Sequence, residues 1–167
     1  MIKTWTPAIL RATESLDVVG VVGTSKVLSG YWPAAGHPFL HGWLVQPAPV
    51  AGSAAGPSVL DGDERFVVGV FGVDGPITAG MQGLDGMFFV VRRAVVESIP
   101  FDETTFDGFH GYDLAFSYAA HLAGFSIGTR AELACIHASG GKLGGARPRS
   151  AHRLARTTQA RLTYEDL

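Results

Sequence analysis

A chain of 167 residues with a formal net charge of −2 has room for one compact domain with a core of its own. Hydrophobic residues make up 47% and charged residues 17%, the balance of a soluble globular protein, and the slight negative charge argues against a general nucleic-acid binder. The one cysteine, Cys135, excludes an internal disulfide framework and fits a reducing compartment.

There is no basic-then-apolar leader and no apolar run of roughly 18 residues, so a cytoplasmic protein is the expectation. "TWTPAILRATESLD" opens the chain order, with Thr6 as a helix cap and Pro7 at the first helical position. "VVGVVGT", 18–24, reads as a strand buried on both faces. Helix into buried strand is the grammar of an α/β sheet. Residues 30–58 are rich in Gly, Pro and Ala and carry Trp32 and Trp43; they read as a long loop or irregular hairpin, ordered where the aromatics dock. "ERFVVGVFGV", 64–73, is a strand, and "GLDGMFFVVRRAVVESI" is a strand running into a short helix that Pro100 ends. "FDETTFDGFHGYD" is a loop, and "DLAFSYAAHLAG" a helix stopped at Gly124 by a left-handed cap. "AELACIHASG" reads as a strand with Leu133, Cys135 and His137 on one face. The remainder, 140–167, is a basic tail in which Ser150 caps a final helix; six of the thirteen Lys and Arg lie between Lys142 and Arg161. No internal repeat is visible, so 1–167 reads as a single domain.

In this order, "VVGVVGTSKV", "LDGMFFVVRRAVVESIPFDE", "FHGYDLAFSYAAHLAGFSIG" and "CIHASGG" resemble the second half of GT-A-fold glycosyltransferases of the family-2 type. The resemblance covers about residues 10–140 and rests on order and spacing rather than on any one motif. It implies an α/β fold of partial GT-A type, a mixed sheet flanked by helices. It also implies inverting transfer of a sugar from a nucleotide-sugar donor to an acceptor hydroxyl. Such a reaction needs a carboxylate to take the acceptor's proton and positive charge on the departing diphosphate.

Asp113 matches the family's base position, and the helix N-terminus would keep a carboxylate ionised there. Asp is equally a common helix cap, and Tyr112 stands where the family often has a second acid. Asp85 and Gly86 look like the turn that holds the acceptor sugar, although an Asp-Gly turn is common by itself. Trp32, His110 and Tyr112 are further acceptor contacts, while both tryptophans serve equally well to pin a long loop. His137 resembles a histidine that completes coordination of a divalent metal, Mn2+ or Mg2+, or is a hydrogen-bonded strand-end residue. His121, Arg92, Arg93 and the Phe101-Asp102-Glu103 run read as structural. Lys142, Arg147 and Arg149 would close over the diphosphate, or else belong to a soluble or membrane-resting basic helix.

The family's first half, roughly 90–100 residues of βαβ structure ending in a metal-binding Asp-x-Asp, has no counterpart before Thr6. Asp61-Gly62-Asp63 spells the motif but follows the 18–24 strand instead of preceding it, and a turn accounts for it without metal. Three readings therefore stand: a shortened transferase that takes its donor half from a partner chain or a second copy, a non-catalytic sugar-binding or protein-docking module, and a piece of a larger enzyme. The first two expect a homodimer or partner covering Val18–Val22 as an exposed sheet edge.

Overall fold

The computed structural model describes residues 5–47, 66–72, 76–106, 111–133 and 135–137. Over these residues the protein is mixed α/β, with three α-helices and two four-stranded sheets.

Helix α1 (Trp5–Thr13) takes Pro7 within its first turn, where a missing N–H leaves no bond unmade. It buries Ala8 and Ala12 and delivers the chain to Leu16, which is 1% exposed. The expected strand at 18–24 is real but divided. β1 (Val18–Gly20) lies in the first sheet and β2 (Val22–Thr24) in the second. At the junction the Val21 carbonyl accepts the Trp43 N–H at 3.0 Å. The neighbouring strand must come very close there. Gly42 has φ +104°, and a Cβ on it would stand 2.1 Å from the Val21 oxygen, so only glycine fits this crossover.

The second sheet is built around β3 (Leu40–Pro47), which runs antiparallel to β2 and to β4 (Phe66–Phe71). Of the 30–58 stretch, the described residues 30–47 form a 3₁₀ turn (Trp32–Ala35) followed by a strand; residues 48–58 lie outside the described set, as do Asp61 and Asp63. Beyond β4, β5 (Ile77–Ala79) joins the first sheet and β6 (Gly83–Leu84) the second, beside β2. β7 (Phe89–Val91) pairs antiparallel with β1 and leads into the short helix α2 (Arg93–Ser98), which ends before Pro100.

Helix α3 (Tyr112–Leu122) begins after Gly111 in the left-handed region, φ 91°. It ends as anticipated at Gly124, φ 86°. The Gly124 N–H donates to His121 O and the Phe125 N–H to Ala120 O, the paired bonds of a Schellman motif. The motif turns the chain into β8 (Ile127–Arg130), which lies parallel to β1. Asp17 and Ser126 lock this return: the Asp17 carboxylate accepts the Ser126 N–H at 2.9 Å and its hydroxyl at 2.7 Å. These two bonds hold the Asp17 carboxyl below its ordinary value.

Val18 packs with Phe116, Ala120 and Val95, whereas Val19 packs with Ala8, Ala12 and Leu16. Helices therefore cover both faces of the first sheet, α1 on one side and α2 with α3 on the other. This is why the valine run is apolar without alternation. Two expectations are corrected. Val18–Val22 is no exposed edge: β1 sits between β8 and β7, β2 between β3 and β6, and these valines are at most 1% exposed. The last strand among the described residues, β8, precedes "AELACIHASG", of which residues 134 and 138–140 lie outside the described set. After Arg130 the chain turns, Leu133 N–H donating to Arg130 O, and Ile136 makes a single bridge to Val45. Leu133 drops into the core while Ile136 stays 54% exposed.

Candidate active site

β6 ends in the turn Asp85-Gly86-Met87, and this turn lies against the first turn of α3. Two glycines set the approach. A Cβ on Gly83 would be 2.2 Å from Leu114 Cδ1, and one on Gly86 would be 2.7 Å from both Cβ and Oδ2 of Asp113. Ser117, fully buried, ties the two elements together. Its hydroxyl accepts the Leu84 N–H at 3.0 Å and donates to the Asp113 carbonyl at 2.8 Å.

This contact brings Asp113 and Asp85 together. The Gly86 N–H donates to Asp113 Oδ2 at 2.6 Å. Asp85 is held at both oxygens: Oδ1 accepts the Met87 N–H at 2.8 Å, and Oδ2 accepts the Trp32 indole N–H at 2.7 Å. Trp32 is 8% exposed and meets Phe71 edge-on, with ring centroids 5.9 Å apart. Tyr112 precedes Asp113 and is partly buried.

The electrostatics follow from this packing. Burial pushes the Asp113 carboxyl above its ordinary value, and the negative Asp85 adds to the rise. The N–H groups of Leu114, Gly86 and Asp113 itself act the other way. Burial likewise raises Tyr112, followed by the charges of Asp113 and Asp85, so its phenol stays protonated. Cys135 is raised by burial first and by Asp85 second, which places it in the same neighbourhood as a protonated thiol. The cluster thus holds a buried carboxylate of raised basicity, Asp113, with a second carboxylate, Asp85, nearby.

Of the residues singled out from the sequence, Asp113, Asp85, Gly86, Trp32 and Tyr112 belong to this one cluster. Asp113 is not the cap of α3. Gly111 holds that position without a side-chain bond, and Asp113 is the second helical residue. Trp32 pins its loop to Asp85; Trp43, on β3, has a buried indole N–H with no acceptor among the described residues. His137 donates its backbone N–H to Val45 O at 2.7 Å. Among the described residues no three His, Cys, Asp or Glu side chains gather as a metal-binding group. His110, Lys142, Arg147 and Arg149 lie outside the described residues. Sequence reasoning missed Ser117 and Gly83. The one signal for Ser117 was a hydroxyl one helical turn beyond Asp113.

No helix among the described residues is long and apolar enough to cross a membrane. In comparisons with protein-family models, with curated proteins and with solved structures, nothing matches the chain.

Proposed function

We propose that the protein is a GT-A-like glycosyltransferase in which Asp113 removes the proton from an acceptor hydroxyl as that oxygen attacks the anomeric carbon of a nucleotide sugar. The observation that carries this reading is a carboxylate of raised basicity in the first turn of α3, held by the Gly86 N–H and adjoined by Trp32, Tyr112 and Asp85. Fixing the carboxylate costs nothing at the moment of reaction, and its raised pKa improves it as a proton acceptor. Asp85 orients the turn, since both its oxygens are already engaged by Trp32 and Met87. In this reading Lys142, Arg147 and Arg149 hold the diphosphate. The donor site is supplied within the chain, by a second copy or by a partner chain, and the acceptor is a glycan or a lipid-linked sugar.

Calorimetric titration of UDP, GDP and dTDP and their sugar conjugates, with and without Mn2+, is the test. Donor binding followed by transfer that Asp113→Asn abolishes supports the reading. A folded protein that binds none of them, or transfer that survives Asp113→Asn, refutes it. One observation favours a second reading, a non-catalytic sugar-binding module. Asp85 and Asp113 both already accept hydrogen bonds from Trp32, Met87 and Gly86, as a purely structural pair would. Binding of free glycans without nucleotide would favour that module.

A further inference from the structure

Past α2 the chain enters the turn 101–106, which the transfer reading leaves unused. Asp102 organises it. Asp102 Oδ1 accepts the Thr104 hydroxyl at 2.8 Å and the Thr105 N–H at 2.9 Å, and its carbonyl accepts the Phe106 N–H at 3.2 Å. The Thr105 side chain and N–H, followed by the Thr104 hydroxyl, bring the Asp102 carboxyl down to about 2, so it carries its charge throughout the physiological range. The turn and the start of α3 enclose an open depression of about 370 Å³ lined by Phe101, Asp102, Glu103, Phe106 and Tyr112.

The rings in this depression have a definite arrangement. Phe101 stacks on Phe116 with centroids 4.4 Å apart, which covers one of its faces, yet it remains 38% exposed. Tyr112 meets Phe101 at an interplanar angle of 60°, with centroids 6.3 Å apart. Two rings at that angle form a corner, and Phe106 is a third apolar wall. Among the described residues, the ionisable lining groups besides Tyr112 are the carboxylates Asp102 and Glu103, and no described Lys or Arg lines the depression. Aromatic faces and nearby carboxylates both attract a diffuse positive charge, the first through the ring quadrupole and the second through Coulomb attraction. An anion is disfavoured here on both counts. The volume falls at the small end of the range for small-molecule sites.

We propose that this depression binds a small organic cation, a quaternary ammonium group, seated in the corner of Phe101 and Tyr112 with Asp102 and Glu103 at its rim. The ammonium methyls lie against the rings and the carboxylates balance the charge without a tight ion pair, because such a cation has no N–H to donate. The site does not rest on the transfer reading, and its test contains no nucleotide or sugar. Either proposal therefore stands or falls without the other.

The experiment titrates the full chain with choline and with dimethylbutanol, the uncharged isostere in which carbon replaces the ammonium nitrogen. Binding is followed by calorimetry and by NMR shifts of the Phe101 and Tyr112 rings. Choline binds with saturable shifts on both rings, at least about tenfold more tightly than the isostere, and added salt weakens it. Phe101→Leu removes the binding, and Glu103→Gln, on an exposed side chain, lowers affinity by about threefold or more while leaving the circular dichroism spectrum unchanged. The Glu103→Gln measurement keeps the test readable where Phe101→Leu disturbs the stack on Phe116. No saturable shift up to about 50 mM choline, equal affinity for the isostere, or an affinity that Glu103→Gln leaves unchanged overturns the proposal.

Discussion

Replacing Gly86 by alanine puts the geometry of the candidate site under direct load. The new Cβ would stand 2.7 Å from Asp113 Cβ, 2.7 Å from Oδ2 and 2.9 Å from Cγ. To reach ordinary contact the two chains must separate by about 0.7 Å, from 2.7 to 3.4 Å. Asp113 cannot simply retreat. The next residue, Leu114, is 2% exposed and seated against Gly83, and Ser117 binds the helix to Leu84. The separation therefore stretches the 2.6 Å bond from the Gly86 N–H to Asp113. Loss of a hydrogen bond to a charged group costs about 1.5–3 kcal/mol, and overpacking about 1–3 kcal/mol. Against these stands a gain of about 0.4–1 kcal/mol from a stiffer unfolded chain. The expected net loss is roughly 2–5 kcal/mol, measured by urea unfolding with an unchanged m-value. The same substitution in an Asp113→Gly background removes these three atoms and should cost at least about 1 kcal/mol less. A loss below about 0.5 kcal/mol, or equal costs in both backgrounds, would refute the claim that Gly86 holds Asp113.

Asp113→Asn keeps an acceptor for the Gly86 N–H but removes a charge whose folded pKa is raised. Such a group supports the fold at low pH and less so as pH rises through its folded pKa, so the variant gains stability relative to the parent at neutral pH, read from melting temperatures across pH 3–8. Asp102 works in the opposite sense. With its carboxyl at about 2 against the ordinary 3.8, its support is full above 3.8 and fades as pH falls toward 2. Asp102→Ala should therefore be less stable than the parent at pH 6 and close to it at pH 2. Trp32→Phe replaces the indole by a smaller aromatic ring and takes the N–H from Asp85 Oδ2, a bond whose loss should cost about 1.5–3 kcal/mol; in Asp85→Asn, which removes the charge, the same change should cost less. Ser117→Ala leaves the buried Leu84 N–H without its acceptor and should cost about 1–3 kcal/mol by the same unfolding assay.

What could be read from the sequence alone was whatever a few neighbouring residues decide. Pro7 and Pro100 mark a helix start and a helix stop because a missing N–H is tolerated only in a first turn. Gly124 ends α3 because its φ of 86° suits a residue without Cβ. The valine run at 18–22 announced burial on both faces, since an unalternating apolar strand has nowhere else to stand. Asp113 drew notice through its place at the head of a helix.

Tertiary structure decided the rest. The valine run is cut at Val21 because Gly42, on another strand, passes so close that a Cβ on it would stand 2.1 Å from the Val21 oxygen, and no feature of residues 18–24 encodes that. The site depends on bonds spanning 53 residues, from Trp32 to Asp85, and 27 residues, from Gly86 to Asp113. An Asp-Gly turn and an acidic first helical turn look alike wherever they occur. Only the close approach of β6 to α3, permitted by Gly83 and Gly86, buries one carboxylate beside another and raises its basicity. Burial and contact distance are properties of the packed chain, so the chemistry of Asp113 was set by neighbours that its own segment does not contain.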